Sequence, residues 1–387
     1  MIIENLLFIP IYLNVLFLLF LTPWLFNKNK KLKEIIKKKR VSIIVPTYND
    51  GLDLIKTLNS IEYMYTEHEV EVFVIDDAST DNTDIEYNSW YECSKKRFTY
   101  NYINTKNNTG LKSKAVSFSV PYINPLSEVV VIIDGDTILS SGALDIAISE
   151  LYTEPNVGAV CGAVLPYKGK CSSIVDFLQY FEMAGAFHGI KLAQSNMDST
   201  ASLAGAFTVH KIEAINDVGW FSDWLVEDIC WTWKARAKGW KLLYSPTSIA
   251  YTSCPISIKD LWKQRTRWSR GRVEALKVAY KENKVRFFSV LPWFMYSIVQ
   301  AVWIPSFIMA LAVSPKKAIL FYLATFFLHW LFALVNMRRN NLSKISIFHP
   351  FYSALWTSFL VDFLLFIPNT KGLILESFGA KKRWLTR

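Results

Sequence analysis

The sequence lacks the simplest recognisable metal, redox and phosphate-binding motifs. It has five cysteines in 387 residues, and none forms a CxxC pair or a Cys/His metal-ligand spacing. The first predicted strand leads into residues 46–49, PTYN, rather than into a glycine-rich Walker loop or a dinucleotide fingerprint. The five thiols are therefore predicted to be reduced and partly buried. They are Cys93, Cys161, Cys171, Cys230 and Cys254.

A cleavable leader is also missing, although the chain begins with an apolar stretch. Residues 6–26 have their charge after them rather than before them, and no small-residue cleavage pattern follows. We therefore predict a retained membrane anchor over residues 1–27. Further apolar segments near or above the roughly 18 residues of a spanning helix occupy residues 287–313, 318–336 and 351–368. Buried helices of a soluble protein are the alternative, which the clustering of the segments at the two ends of the chain disfavours.

Positive charge is concentrated beside the apolar segments. The net charge is +10, and most of it lies in the basic juxtamembrane segment, residues 28–40, and in the basic tail, residues 371–387. The positive-inside rule then predicts a multi-pass protein of the cell (inner) membrane whose middle domain is cytoplasmic. Because the remainder of the chain is nearly neutral, no face could track phosphates, and nucleic acid is not an expected partner.

The C-terminal topology stays open at this point. With one anchor before the middle domain and three spans after it, the basic residues 381–383 would lie outside, against the charge rule. Either one C-terminal segment is interfacial or the rule is broken here.

The middle of the chain alternates between two kinds of pattern. Short runs rich in Val and Ile are typical of strands buried on both faces, and helix-compatible stretches separate them. This order predicts an α/β fold with a mostly parallel sheet. The strand-like runs are residues 41–45, 70–75, 100–103 and 129–133, and the helix-like stretches are residues 53–63 and 112–119.

Acidic residues follow two of these strands. Asp76 and Asp77 end the second run, and Asp134 and Asp136 flank a glycine after the fourth. Ligands of open α/β sheets bind outside the carboxyl ends of strands, so these carboxylates are expected to converge. Aspartate is also a common turn residue, which is the structural alternative. Converging carboxylates favour a hard divalent cation, Mg²⁺ or Mn²⁺, that bridges to diphosphate oxygens.

A further acidic pair, Glu227 and Asp228, lies among tryptophans and a phenylalanine. Partial desolvation there would raise a carboxyl pKa toward the range of a general base. A carboxylate at the N-terminus of a helix, stabilised by the helix dipole, explains the pair equally well.

The stretch KQRTRWSRG, residues 263–271, lies on a predicted helix over residues 257–280. Gln264, Arg267 and Trp268 have i, i+3, i+4 spacing and share one face of that helix. Four other cations on this helix are expected to face lipid headgroups ahead of the next apolar segment. They are Lys263, Arg265, Arg270 and Arg272.

Taken together, these motifs resemble the processive family 2 glycosyltransferases, which include the synthases of cellulose, chitin, hyaluronan and bacterial poly-N-acetylglucosamine. The branch that makes poly-β-1,6-N-acetylglucosamine shares the stretch VGWFSDWLVEDICWTWK. Residues 162–165, GAVL, depart from the family because the Asn and Arg of a G-N-x-R element are missing. In chain order the matching motifs are PTYN (46–49), DDASTDNT (76–83), GLKSKA with Lys112, DGD (134–136), VED (226–228) and QxxRW with Gln264, Arg267 and Trp268.

The resemblance implies a cytoplasmic catalytic domain of GT-A type over residues 41–256 and an interfacial helix over residues 257–285. Transmembrane helices would follow over residues 286–370, and the basic tail would close the chain. The implied nucleotide-sugar residues are Pro46, Thr47, Tyr48, Asp76, Asp77, Lys112, Asp134, Gln264 and Arg267. The implied catalytic residues are Glu227 and Asp228, with Asp228 as the base; Asp134 and Asp136 would bind the metal, and Trp268 would bind the acceptor.

The expected activity is inverting polymerisation of a β-linked polysaccharide, with UDP-N-acetylglucosamine as donor and export through the membrane helices. The expected partners are the UDP-sugar, the growing polysaccharide, the lipid bilayer and, as in some relatives, a small membrane subunit. A second hypothesis is transfer of a single sugar to a lipid. A third is a non-catalytic membrane protein that binds anionic lipid.

Overall fold

The computed structural model describes residues 2–27, 37–167, 173–340 and 348–382. Residues 28–36 of the basic juxtamembrane segment, Cys171 and residues 383–387 of the basic tail lie outside this range. The other four cysteines are free thiols.

One mixed sheet forms the centre of the catalytic half. Within the described residues it has eight strands in the order β3-β2-β1-β4-β7-β6-β8-β5. The four predicted strands are confirmed as β1 to β4, which pair in parallel, whereas β7 is antiparallel to both of its neighbours. The strands are Arg40–Thr47, Glu69–Asp76, Thr99–Asn104, Val129–Ile133, Thr137–Leu139, Val157–Pro166, Phe207–Lys211 and Lys241–Thr252, numbered β1 to β8.

Helices cover both faces of this sheet, as continuous Val and Ile runs require. One face packs on α2 (Gly51–Glu62), α3 (Thr83–Cys93) and α5 (Ala143–Leu151). The other face packs mainly on helices that lead toward the site or the membrane. These are α4 (Lys112–Phe118), α7 (His188–Asn196), α8 (Ile212–Val218) and α9 (Glu227–Lys238). A helix α6 (Ile174–Glu182) joins α7 through a π-helical turn, Met183–Phe187.

Four helices of the described residues are long and apolar enough to cross a membrane. They are α1 (Ile2–Leu25), α11 (Leu291–Val313), α12 (Pro315–Arg339) and the joined helices α13 (Phe348–Trp356) and α14 (Asp362–Ser377). The first packs beside α11, where Phe17 stacks on Tyr296 with 3.7 Å between ring centroids. Its last turn contacts the catalytic half, because the Asn196 amide donates to the Trp24 carbonyl oxygen. The first of these helices is therefore packed against α7 of the catalytic half.

The predicted basic helix is confirmed as α10, Ile258–Glu282, with Ser257 as its N-cap. It runs side by side with α14 and in the same direction. Leu261 packs near Leu365 at one end, and Arg270 donates to Glu376 at the other. In between, a Cβ on Gly372 would lie 2.5 Å from the Thr266 carbonyl oxygen, so only glycine permits this approach.

The expectation that most cations of α10 face lipid headgroups is wrong. Arg265 and Arg270 are 4% and 3% exposed, and each is paired with a buried glutamate. Arg272 donates to the Asn369 side chain at 3.0 Å. Burial of a guanidinium favours such pairing, so these arginines join α10 to its protein neighbours. Lys263 alone of the four keeps a largely exposed partner, Asp260.

Candidate active site

The ends of three neighbouring strands form the nucleotide side of the site. The Asp77 N–H, just after β2, donates to the Thr47 carbonyl oxygen at the end of β1. A Cβ on Gly135 would lie 3.1 Å from Thr47 Oγ1, which places the turn after β4 against the same strand end. Pro46 and Thr47 are buried, and Tyr48 is half-buried. The strand ends that carry the PTYN, Asp76-Asp77 and Asp134–Asp136 motifs are therefore adjacent in the fold.

The two aspartates after β2 hold the surrounding loops in place. Asp76 is 1% exposed and accepts hydrogen bonds from Ser79, Tyr102 and Asn104. Asp77 accepts from Thr109 N–H at 2.9 Å and from the Thr109 hydroxyl at 2.9 Å. Asp76 thus has a structural role, which agrees with the alternative that aspartate is a common turn residue. Asp77 also orders a loop, and its main chain lies against the PTYN turn.

Lys112 connects Asp134, a candidate metal ligand, with the candidate catalytic pair of Glu227 and Asp228. It is the first residue of α4, and its side chain is 9% exposed. Its ammonium lies 2.6 Å from Asp134 Oδ1 and 2.8 Å from Glu227 Oε1, and it donates to the Gly205 carbonyl oxygen at 2.9 Å. One side chain thereby brings together Asp134 and Glu227, which are more than ninety residues apart in sequence.

Asp228 and Gly205 lie next to this bridge. The Gly205 N–H donates to Asp228 Oδ2 at 2.9 Å. A Cβ on Gly205 would lie 2.9 Å from Glu227 Oε1, 3.2 Å from Asp228 Oδ2 and 3.3 Å from Lys112 Nζ. The absence of a side chain at Gly205 is therefore what leaves room for all three charged groups.

The two carboxyls of the pair have opposite pKa shifts. Desolvation and the neighbouring Glu227 raise the pKa of Asp228 to about 6. Desolvation also acts to raise the pKa of Glu227, but the ammonium of Lys112 outweighs it and lowers that pKa below its ordinary value. Environments that separate two carboxyl pKa values in this way divide the acid and base roles. Glu227 also begins α9, so the predicted position at a helix N-terminus is confirmed, and the role of Asp228 as a base stays a prediction.

The QxxRW residues lie on α10 and border the candidate site from another side. Gln264, Arg267 and Trp268 are half-buried on α10, and Arg267 acts electrostatically on Glu227. The Gln264 side-chain oxygen and Thr47 Oγ1 are buried without a hydrogen-bond partner among the described residues. Buried polar atoms of this kind are expected where a ligand supplies the partner.

Trp268 is held from two sides. The Arg265 guanidinium lies 4.4 Å from its ring centroid and forms a bidentate pair with Glu182, at 2.8 and 2.7 Å. On the other side the Phe187 ring lies 6.5 Å from Trp268 with 25° between the planes. Two aromatic rings in near-parallel orientation form an apolar platform next to the carboxylates.

A divalent cation fits Asp134 and Asp136 as a partial ligand set. The described residues contain no group of three or more His, Cys, Asp or Glu side chains that could hold a metal by themselves. Magnesium is commonly held by one or two carboxylates together with substrate phosphates and waters. Both aspartates are half-buried on one turn, although the Asp134 oxygen is shared with Lys112 in this state.

The fold is of the GT-A class of nucleotide-sugar transferases. A mannosyltransferase from Pyrobaculum calidifontis, solved with GDP-Man and Mn²⁺, is similar in structure with a TM-score of 0.69 and 19% identity. The likeness covers 98% of this chain and 99% of that one. It includes the membrane helices as well as the sheet, because nearly the whole chain is matched.

The chain belongs to the glycosyl transferase family group 2, whose model matches residues 129–338, and the glycosyl transferase family 2 model matches residues 42–202. It is a glycosyltransferase. The poly-β-1,6-N-acetyl-D-glucosamine synthase of Staphylococcus epidermidis is 27% identical, over 97% of this chain and 86% of that protein. The synthase of the same name from Staphylococcus aureus strain COL is 26% identical, over 77% of this chain and 72% of that one.

Two contributors to the site were not among the predicted residues. Gly205 lies immediately before β7, and its importance appears only when α4 and α9 are folded against it. Glu182, the partner of Arg265, lies 83 residues before it in sequence. The aromatic and apolar spacing of α6 was the available signal, and it indicated a packed helix rather than a carboxylate facing the site.

Proposed function

We propose that the protein is a membrane-embedded, inverting glycosyltransferase that polymerises a β-linked polysaccharide from a UDP-sugar, with UDP-N-acetylglucosamine as the donor. The observation that supports it most is the Lys112 bridge between Asp134 and Glu227, with Asp228 directly beside it. This arrangement places a carboxylate with a raised pKa next to the turn suited to a diphosphate-bound cation. The names of the two staphylococcal relatives support the choice of sugar.

In this mechanism Asp228 removes the proton from the acceptor hydroxyl, and that oxygen attacks the anomeric carbon from the side opposite to the leaving UDP. Asp77 and residues 46–48 would bind the uracil side of the donor, and Gln264 and Arg267 would lie over the diphosphate. Arg267 and Lys112 supply positive charge where the leaving group becomes more negative. A bound Mg²⁺ or Mn²⁺, held by Asp134 and Asp136, would supply Lewis-acid stabilisation of the same charge.

We further propose that the unit formed by α13 and α14 begins and ends on the side of the catalytic half rather than crossing the bilayer. Its middle packs against α12, where the Tyr322 hydroxyl donates to the Ser358 carbonyl oxygen. Ser353 donates to the Phe181 carbonyl oxygen near one end of this helical unit. Near the other end Arg270 donates to Glu376, and the following Lys382 donates to the Asp223 carbonyl oxygen at 2.7 Å. Both ends thus contact catalytic elements. Three crossing helices would then leave the catalytic domain and the basic tail in the cytoplasm, in agreement with the charge rule.

A second candidate, transfer of one sugar to a lipid, is favoured by the proposed placement of α13 and α14. Three crossing helices form a smaller channel wall than four, so export of a polymer would need additional helices from another copy or a small membrane subunit. Sizing the product of the purified protein separates the candidates: a ladder or a high polymer supports the synthase, and a lipid with one added sugar supports the alternative.

The test of the catalytic assignment uses purified protein with UDP-N-acetylglucosamine, UDP-glucose and UDP-glucuronic acid as donors. Asp228→Asn should abolish UDP release while UDP binding stays within about twofold, because the variant loses the base and keeps the nucleotide side. In the unmodified protein kcat/KM should fall as the pH drops through about 6, since Asp228 must be ionised to accept a proton. Retained turnover in Asp228→Asn, or an acid limb near pH 4 as for an ordinary aspartate, would contradict the assignment.

A further inference from the structure

Lys191 is a buried cation for which the described part of the chain provides no anionic partner. Its side chain lies on α7 and is 5% exposed, yet its ammonium forms no ion pair or hydrogen bond with the residues described. Lys211 is equally buried, and its ammonium donates to two carbonyl oxygens at 3.1 and 2.9 Å. Lysine is almost never fully buried unless it is paired, so the position of Lys191 calls for a partner that is supplied from outside the chain.

Lys191 lies beside the two near-parallel rings of Phe187 and Trp268, which we call the acceptor platform. Its ammonium lies 5.7 Å from the centroid of the Phe187 ring, and that ring is the near-parallel neighbour of Trp268. Desolvation and Glu227 raise the pKa of Asp228, and Lys191 is among the cations that act to lower it. The ammonium is therefore close enough to act electrostatically on the candidate base while it borders the two aromatic rings.

The end of the neighbouring strand β6 carries small and apolar side chains. Residues 162–165 at the end of β6 are glycine, alanine, valine and leucine, and they are buried. The thiol of Cys161, just before them, is within electrostatic reach of Lys191. A site with aromatic surfaces and one hydrogen-bonding cation suits a ligand with an apolar face and a rim of oxygen atoms, which is the form of a sugar ring.

The cations nearer the nucleotide side have different partners. Lys112 is bound to Asp134 and Glu227, and Arg267 acts on Glu227. If Lys112 and Arg267 bind the diphosphate, Lys191 lies on the other side of Asp228, near the rings of Phe187 and Trp268. This placement favours the acceptor over the donor as the ligand of Lys191.

We propose that Lys191 binds the acceptor sugar: its ammonium donates hydrogen bonds to oxygen atoms of the terminal sugar, which lies against Phe187 and Trp268 with its attacking hydroxyl near Asp228. The inference rests on the proposed function, because it takes the acceptor to be a carbohydrate. It makes Lys191 a specificity residue for the acceptor and assigns it no part in donor binding.

The test uses full-length protein in detergent with UDP-N-acetylglucosamine and a short β-1,6-linked N-acetylglucosamine oligosaccharide as primer. Lys191→Met should raise the KM for the primer about 10- to 100-fold, as expected when a hydrogen bond to a charged group is lost. The KM for the donor and the primer-independent release of UDP should stay within about twofold. Lys191→Arg, which keeps the charge, should recover part of the primer affinity.

Lys211→Met is the matched control, because it removes an equally buried lysine away from the site and should leave both KM values unchanged. Lys191→Gln is measured in parallel in case the Met variant folds poorly, although removal of an unpaired buried charge should not lower the melting temperature. An unchanged primer KM in either variant, or a donor KM that rises as much as the primer KM, would overturn the proposal. Failure of the unmodified protein to extend the primer would instead count against the proposed function.

Discussion

Gly205 lies among the charged groups of the candidate site and contributes only main-chain atoms to them. Its N–H donates to Asp228, and its carbonyl oxygen accepts from Lys112. The residue thus fixes the position of a candidate base and of the cation beside it. A side chain at this position would displace at least one of the two, because both lie closer to the missing Cβ than ordinary van der Waals contact.

Gly205→Ala should therefore fold and lose at least about tenfold in kcat, since the added Cβ would lie 2.9 Å from Glu227 Oε1 and 3.2 Å from Asp228 Oδ2. UDP release under saturating donor and primer measures the effect. Gly51→Ala is the control, because a Cβ there would meet its neighbours no closer than 3.4 Å. Full activity of the Gly205 variant would show that the three charged groups can rearrange freely.

At the scale of elements, the bidentate pair of Arg265 and Glu182 joins α10 to α6. Both side chains are buried, at 5% and 7% exposed, and the arginine also covers the Trp268 ring. The pair links the helix that carries the QxxRW residues to the π-helical turn that carries Phe187. The Arg265 side of the ion pair holds the Trp268 ring, and the π-helical turn that follows Glu182 holds the Phe187 ring.

Glu182→Gln should lower the apparent melting temperature and weaken primer use together, because it leaves the Arg265 charge buried and uncompensated. Breaking a buried pair in this way costs roughly 3–5 kcal/mol, whereas an exposed pair contributes about 0–1 kcal/mol. Lys263→Ala, which removes the exposed partner of Asp260 on the same helix, is the control and should melt close to the unmodified protein. Equal melting of the two variants would mean that the buried pair does not hold α10 in place.

The sequence predicts an element well when neighbouring residues determine it, and poorly when contacts between residues distant in sequence determine it. The strands β1 to β4 follow from local runs of Val and Ile, and α10 follows from its N-cap and its period. Strands β5, β7 and β8 are paired with partners distant in sequence, so their place in the sheet could not be predicted. The burial of Arg265 and Arg270 was missed for the same reason: each arginine has a glutamate partner more than eighty residues away.

At the scale of the whole molecule, the placement of α13 and α14 determines on which side of the membrane the chain ends. If these helices lie along α10, residues after α14 are on the same side as the catalytic half. The short connection between α11 and α12, at Ser314, is then on the opposite side. This arrangement agrees with the basic composition of residues 371–387.

Thiol labelling with a membrane-impermeant reagent tests this arrangement. Cys93 is exposed on the catalytic half, and its labelling in the unmodified protein is the reference for that side of the membrane. In a Cys93→Ser background, Phe378→Cys should react only when inverted vesicles are used, as Cys93 itself does, because Phe378 is 86% exposed next to α14. Ser314→Cys should react only in intact cells. Labelling of Phe378→Cys from outside would mean that the fourth apolar helix crosses the bilayer.

The ammonium of Lys112 partly neutralises the carboxylates of the candidate site. This ammonium lies between Asp134 and Glu227, so a divalent cation that binds Asp134 has to displace a charge that is already paired there. A cation that arrives with a nucleotide brings phosphate oxygens to which the lysine can transfer its hydrogen bonds. If Asp134 and Asp136 hold the cation, we therefore expect it to bind more tightly in the presence of the nucleotide sugar than alone.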